Sequence, residues 1–321
     1  MVENRTSDQV LRDLLYLACP DAHPVDRKTA TDAIDTAVSQ GRRLDPAEIP
    51  ALVNGLLPGP VYGMLDADMT DAGLRGADLA QVNLVGADLS RADLRDANLS
   101  GADLTSADLT HADLSRADLD SARLCSALLV GARMAGANLN RADLTDAGLT
   151  GADLDGVNLS SADLHNARLH NANLDGAYLR DADLTAADMG TVSLARADAG
   201  GANLVGTHLV GAYLVRAELS RARLMGANLT NAVLCAADLT GADLTRAQLF
   251  ATDLTAADLT GAIGIAPASL SGVRWSSDTN WPDALLHMEL LSISEDLGNG
   301  LYRVPGPGGA RAVNPDRTPF A

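Results

Sequence analysis

Residues 87–111 read ADLSR ADLRD ANLSG ADLTS ADLTH, and this five-residue cadence decides the architecture. The same pattern, A-(D/N)-L-x-x, runs without insertion or deletion from Ala67 onward. Taking the Leu as the centre, 39 centres fall at every fifth position from Met69 to Leu259, and 35 of them are Leu. The exceptions are Met69, Met134, Met189 and Ala199. Two residues before each centre stands Ala, replaced only by Val82, Val157, Val192, Thr207 and Thr252.

A period of five fits neither regular element. On an α-helix each step of five turns about 500°, so the leucines would wander over every face. On a continuous strand an odd step would throw alternate leucines to opposite sides. To keep every Leu and Ala inside, the backbone must turn once per repeat, and the Ser-Gly, Thr-Gly and Arg-Asp pairs between repeats suit such turns. One repeat cannot fold alone. Ordering five residues costs roughly 5–10 kcal/mol, whereas burying one Leu returns only ~1.5–3 kcal/mol. Stacked coils must therefore share a core and a hydrogen-bond ladder.

Runs such as Ala102-Asp103-Leu104-Thr105-Ser106 and Ala227-Asn228-Leu229-Thr230-Asn231 resemble the consensus of the pentapeptide-repeat family. The resemblance implies a mainly β fold: a right-handed quadrilateral β-helix with four repeats per coil, Ala and Leu inward and the other three positions outward. About ten coils are expected, at ~4.8 Å each.

The flanks have another texture. Residues 1–60 are expected to form a small α-helical domain. Ser7 and Asp8 can cap one helix, Asp26 can open a second, and Pro46 with Glu48 a third, before the Leu57-Pro58-Gly59-Pro60 linker. The β-helix is assigned to residues 61–263, since the register breaks at Gly264. Residues 264–305 read as a C-terminal cap, with Trp275 and Trp281 around Asp278-Thr279-Asn280 and a helix expected from Pro282 through Leu291. Similar T-x-W-P tails follow the repeats in other members of the family. Residues 306–321 are expected to be a disordered tail.

Composition narrows the function. The chain is 47% hydrophobic but 3% aromatic, and its formal net charge is −18 with one lysine, Lys28. Such a surface repels phosphate backbones and anionic lipid and attracts basic partners, so neither direct nucleic-acid binding nor membrane association is expected. No stretch approaches the ~20 apolar residues of a membrane span, and the start MVENRTSDQV lacks a signal-peptide pattern. Cys19, Cys125 and Cys235 are odd in number and widely separated, as expected of reduced, packed thiols in a cytoplasmic protein. No Walker loop, GxSxG elbow, HExxH or Cys/His cluster occurs, so no catalytic, cofactor or metal site is assigned. His165 and His170 are one repeat apart and should diverge on adjacent sides.

The outward charges carry what information remains. Residues 66–120 hold twelve Asp against four Arg; 121–142 hold only Arg123, Arg133 and Arg141. Residues 143–198 are again acidic, and 199–237 are mildly basic through Arg216, Arg221 and Arg223. Some proteins of the resembled family mimic DNA and protect DNA gyrase or topoisomerase IV from inhibitors. On that reading Asp78, Asp88, Asp93, Asp103, Asp108 and Asp118 form the partner-binding acidic surface. The alternative is a structural protein–protein interaction scaffold with no topoisomerase role. A second surface is expected at residues 203–235, where Val205, Val210, Tyr213, Val215, Met225 and Val233 point outward and few acids intervene, as at an association or homodimer site. Finally, Ala199 replaces a core Leu just before Gly200 and Gly201, which predicts a local narrowing or bend.

Overall fold

The computed structural model describes residues 68–306. The helices expected within residues 1–60, the first residues of the rod and the tail beyond Gly306 lie outside them.

Every repeat is built alike, and hydrogen-bond accounting shows why. Parallel bridges link residues 20 apart, Asp68 to Asp88 to Asp108 and onward, so four repeats close one coil. At each corner the N–H of the next Ala donates to the centre carbonyl, as Ala92 N does to Leu89 O at 3.0 Å. The second corner residue has φ near +60° at all 39 corners, only 14 of which are Gly. A positive φ confined to that position is the signature of a type II turn. The centre and second-corner N–H groups donate to the next coil (Leu89 N to Asp108 O, 2.7 Å; Arg91 N to Thr110 O, 2.9 Å), and the bridge residue donates to the previous one (Asp108 N to Ala87 O, 2.9 Å). One donor per repeat is left, the first-corner N–H. The Asp or Asn side chain supplies its acceptor: Ser90 N donates to Asp88 Oδ1 and Thr110 N to Asp108 Oδ1, at 3.0 and 2.9 Å. The Asp/Asn preference thus serves the backbone at 25 of the 39 outward positions from Asp68 to Asp258, although the ladder also runs through positions such as Arg133, Tyr178 and Val233 that lack such an acceptor.

The four sides are called faces I to IV, with outward residues running in steps of 20 from Asp68, Gly73, Asp78 and Asn83. The corners between them form the I/II, II/III, III/IV and IV/I edges. The core is a stack of buried Leu and Ala. Thr207 and Thr252, at Ala positions, stay buried by donating Oγ1 to the carbonyls of Leu184 (3.0 Å) and Leu229 (2.9 Å).

At Ala199 the ladder does not break. Tyr178, Asp198 and Glu218 remain bridged, and Ala199 N donates to Glu218 O at 2.7 Å. The narrowing expected from the sequence is therefore not seen in the ladder. The missing side chain instead leaves a void of about 10 Å³ lined by Leu179, Met189, Leu194, Leu204 and Leu219. Backbone pairing along the coil holds the spacing that the core side chain would otherwise help to set.

After Ile263 the chain turns at Gly264, whose φ is +83° and where a Cβ would lie 2.3 Å from the Thr245 backbone. It then adds pairing to the last coil through Asp253–Arg274 and Asp258–Asn280 bridges. Strand β1 (Arg274–Ser276) joins β2 (Glu295–Gly298) and β3 (Leu301–Arg303) in a small antiparallel sheet of order β1-β3-β2. Helix α1 (Ala284–Ile293) is capped by Asp283, which accepts Leu286 N, so Pro282 precedes the cap instead of opening the helix. Buried Trp275 stacks on Tyr302 at 4.4 Å, meets Trp281 edge-on, and donates Nε1 to Ser294 Oγ at 3.0 Å. The β2–β3 hairpin was not anticipated. Its signal was the Asn299-Gly300 pair, both at positive φ.

Candidate protein-binding surface

The six aspartates singled out from the sequence do not share one surface. Asp88 and Asp108 lie on face I, Asp93 on face II, Asp78 and Asp118 on face III, and Asp103 on face IV. Any two adjacent faces hold three of the six. Asp78, Asp88, Asp108 and Asp118 each use Oδ1 to accept a corner N–H. Asp103 does the same for Thr105 N and also meets Arg123 at 3.1 Å, while Asp93 holds Arg95 through two hydrogen bonds of 2.7 and 2.6 Å. Hydrogen bonds from Arg95 keep the Asp93 carboxyl below the usual range, and those from Ser90 do so for Asp88.

The charge blocks also look different in three dimensions. Arg123, Arg133 and Arg141 each reach back about one coil, to Asp103, Asp113 and Asp120, so the first basic belt neutralises part of the acidic block. Arg75, Arg91, Arg95 and Arg116 are likewise ion-paired. In the second belt no ion pair joins Arg216, Arg221 or Arg223 to another described residue. Face III carries the most outward acids, Asp78, Asp118, Asp198, Glu218, Asp238 and Asp258, the last four consecutive, although Arg180 engages Asp198 and Glu218.

The outward apolar residues divide by corner. Val210 is on the I/II edge, Tyr213 and Val233 are bridged neighbours on face II, and Val215 is on the II/III edge; Val205 and Met225 are one coil apart on the IV/I edge. Tyr213 is 47% exposed. His165 and His170 stand on different edges, IV/I and I/II. Among the described residues no group of three or more His, Cys, Asp or Glu gathers as metal ligands would, and no helix is long and apolar enough to cross a membrane. Burial, reinforced by Asp143 and Asp253 respectively, pushes the Cys125 and Cys235 thiols up to about 11, which makes both poor nucleophiles. Cys19 lies outside the described residues.

The family model for pentapeptide repeats matches 8 copies, covering residues 67–190 and 193–263 in overlapping segments. Nothing among curated proteins matches the chain. Similar solved structures include HetL, a pentapeptide repeat protein involved in heterocyst differentiation regulation from the cyanobacterium Nostoc sp. strain PCC 7120. It is 32% identical, over 76% of this chain and 100% of that one, with a TM-score of 0.30. A pentapeptide repeat protein of the Arabidopsis thaliana thylakoid lumen is 35% identical over 33% of this chain and 67% of its own, at a TM-score of 0.25. QnrB1, a plasmid-mediated fluoroquinolone resistance protein, is 23% identical over 65% of this chain and 95% of its own, at 0.31. With its unbroken five-residue register and its coils of four repeats, the chain belongs to the pentapeptide-repeat family.

Proposed function

We propose that the protein is a non-catalytic, cytoplasmic interaction protein whose rigid acidic rod docks into a basic groove of a protein partner. The observation that carries this reading is the anchoring of the carboxylates. In the face III column, Asp78, Asp118, Asp238 and Asp258 each spend one oxygen on a corner N–H, which fixes where the second oxygen is presented. Such charges are positioned before binding and lose little freedom when a cationic groove closes on them. On this reading residues 264–305 cap the open end of the ladder, a role that suits an edge otherwise free to pair.

The partner that best fits a rod of stacked carboxylates is the DNA-binding saddle of a type II topoisomerase, DNA gyrase or topoisomerase IV. Duplex DNA carries one charge per ~1.7 Å of axis, whereas one face offers at most one per ~4.8 Å coil, so a saddle must grip at least two faces. The distribution of the six aspartates makes this testable. Two triple variants, Asp78/Asp103/Asp118→Asn and Asp88/Asp93/Asp108→Asn, remove the same charge from opposite pairs of faces. Each is assayed for its effect on gyrase supercoiling with and without a poison. Loss in one triple and retention in the other marks the gripped side. A wild-type chain that neither inhibits nor protects any type II topoisomerase overturns this partner. The scaffold reading, favoured by the spread of these acids over all four faces, then stands.

A further inference from the structure

One edge of the rod differs from the other three. From Ser90 to Ala251 neither corner position of the I/II edge carries a carboxylate. The II/III edge has Asp96, Asp155 and Asp175, the III/IV edge Asp120 and Asp181, and the IV/I edge Asp146. Exposed apolar side chains gather on the same edge. Seven large ones are exposed on the described rod; Val130, Val210 and Phe250 stand on the I/II edge, and Leu128 and Tyr213 flank it on faces I and II. Around Val210 the neutral zone widens, because face I presents His208 and Asn228 and face II presents Tyr213 and Val233. From Ser90 to Phe250 the seam extends eight coil steps, on the order of 40 Å at the ~4.8 Å spacing of stacked strands.

We infer that this seam is the contact surface for a second copy of the chain, with two rods lying side by side along their I/II edges. Two arguments select that occupant. The first is electrostatic. Each copy carries −18, so close approach is most tolerable along the edge that bears no carboxylate, above all around Val210, since Asp88, Asp93, Asp108, Asp113, Asp153 and Asp188 flank the seam elsewhere. Apposing the I/II edges turns faces III and IV of both copies outward. The second is geometric. Val130, Val210 and Phe250 stand whole numbers of coils apart, four and then two, and a second rod of identical rise keeps in step with that spacing along the whole length, as few unrelated surfaces would. The pairing leaves the face III column free for a basic partner.

Sedimentation velocity of the full chain over a range of concentrations tests this. A reversible dimer is expected that tightens with added salt, because screening weakens the repulsion between two polyanions while apolar contact persists. Val210→Thr combined with Phe250→Thr should raise its dissociation constant about tenfold, the equivalent of ~1.4 kcal/mol. Thr already occupies this edge at positions 70, 110, 150 and 230, so the coil accepts it. Leu285→Ser with Met288→Ser, on the exposed side of α1, should leave the constant unchanged. A chain that stays monomeric at every concentration and salt overturns the inference. So does a dimer that responds to the α1 variant and ignores the edge variant.

Discussion

The void beside Ala199 invites a substitution that restores the column of leucines. Ala199→Leu adds three carbons to a site walled by Leu179, Leu194, Leu204 and Leu219. Their transfer from water is worth up to ~2.4 kcal/mol at ~0.8 kcal/mol per CH₂. Filling the remaining 10 Å³ adds about 0.2 kcal/mol at ~24 cal/mol per Å³. The void is smaller than the side chain to be inserted, so neighbouring leucines must yield space, and overpacking typically costs 1–3 kcal/mol when they cannot. The ladder at Ala199 keeps the spacing of a leucine-filled coil, with bonds of 2.6 Å below (Leu179 N to Asp198 O) and 2.7 Å above, so the backbone need not move and only the leucine side chains around the site must repack. A net gain of about 1–2 kcal/mol is therefore expected. For a solenoid of this size that raises the thermal midpoint by roughly 2–8 °C in a calorimetric or circular-dichroism melt. Leu179→Ala, in the same column, should lower stability by about 2–5 kcal/mol. A midpoint that falls or stays put in Ala199→Leu would refute the claim that the site retains room for a leucine.

Gly264→Ala should loosen the C-terminal segment by more than about 1 kcal/mol, since its φ of +83° and the Thr245 backbone both oppose a Cβ. Trp275 and Trp281 are the only tryptophans, so a fluorescence transition preceding the loss of the β signal would report it, and coincident transitions would argue against it. At pH 8 only about a thousandth of a thiol with a pKa near 11 is ionised, so in a Cys19→Ser variant Cys125 and Cys235 should react with a disulfide reagent far more slowly than free cysteine; rates matching free cysteine would contradict their packing. Asp71, Asp93 and Asp96 have native pKa values below the usual 3.8 through hydrogen bonds from Arg91, Arg95 and Arg116. Groups depressed on folding stabilise fully above their unfolded pKa, and that contribution is lost as pH falls through the native value. The melting midpoint should therefore drop with acidification below about pH 4, and a flat profile to lower pH would count against these pairs.

How much of this was legible in the chain depends on range. The period of five, the inward Leu and Ala and the need to turn once per repeat are local, because each repeat states them again, and a pattern repeated 39 times overrides any single departure. Even Met134, Val157 and Thr207 stay buried in register. The role of Asp and Asn was only half legible. Their residue type already suits a turn and a local hydrogen bond, but which N–H each one satisfies, the first-corner donor, becomes visible only once the other four donors are assigned. Relations between residues about 20 apart belong to the tertiary structure alone. Arg123, Arg133 and Arg141 form a basic belt along the chain, yet in space they lie against Asp103, Asp113 and Asp120, because coiling brings successive blocks into contact. The same coiling distributes six neighbouring aspartates over four faces and gathers Val130, Val210 and Phe250, far apart in sequence, onto one edge. Sequence order determines which repeat a residue belongs to; the four-repeat coil decides its neighbours, since side chains interact across a few ångströms of space, whatever their separation along the chain.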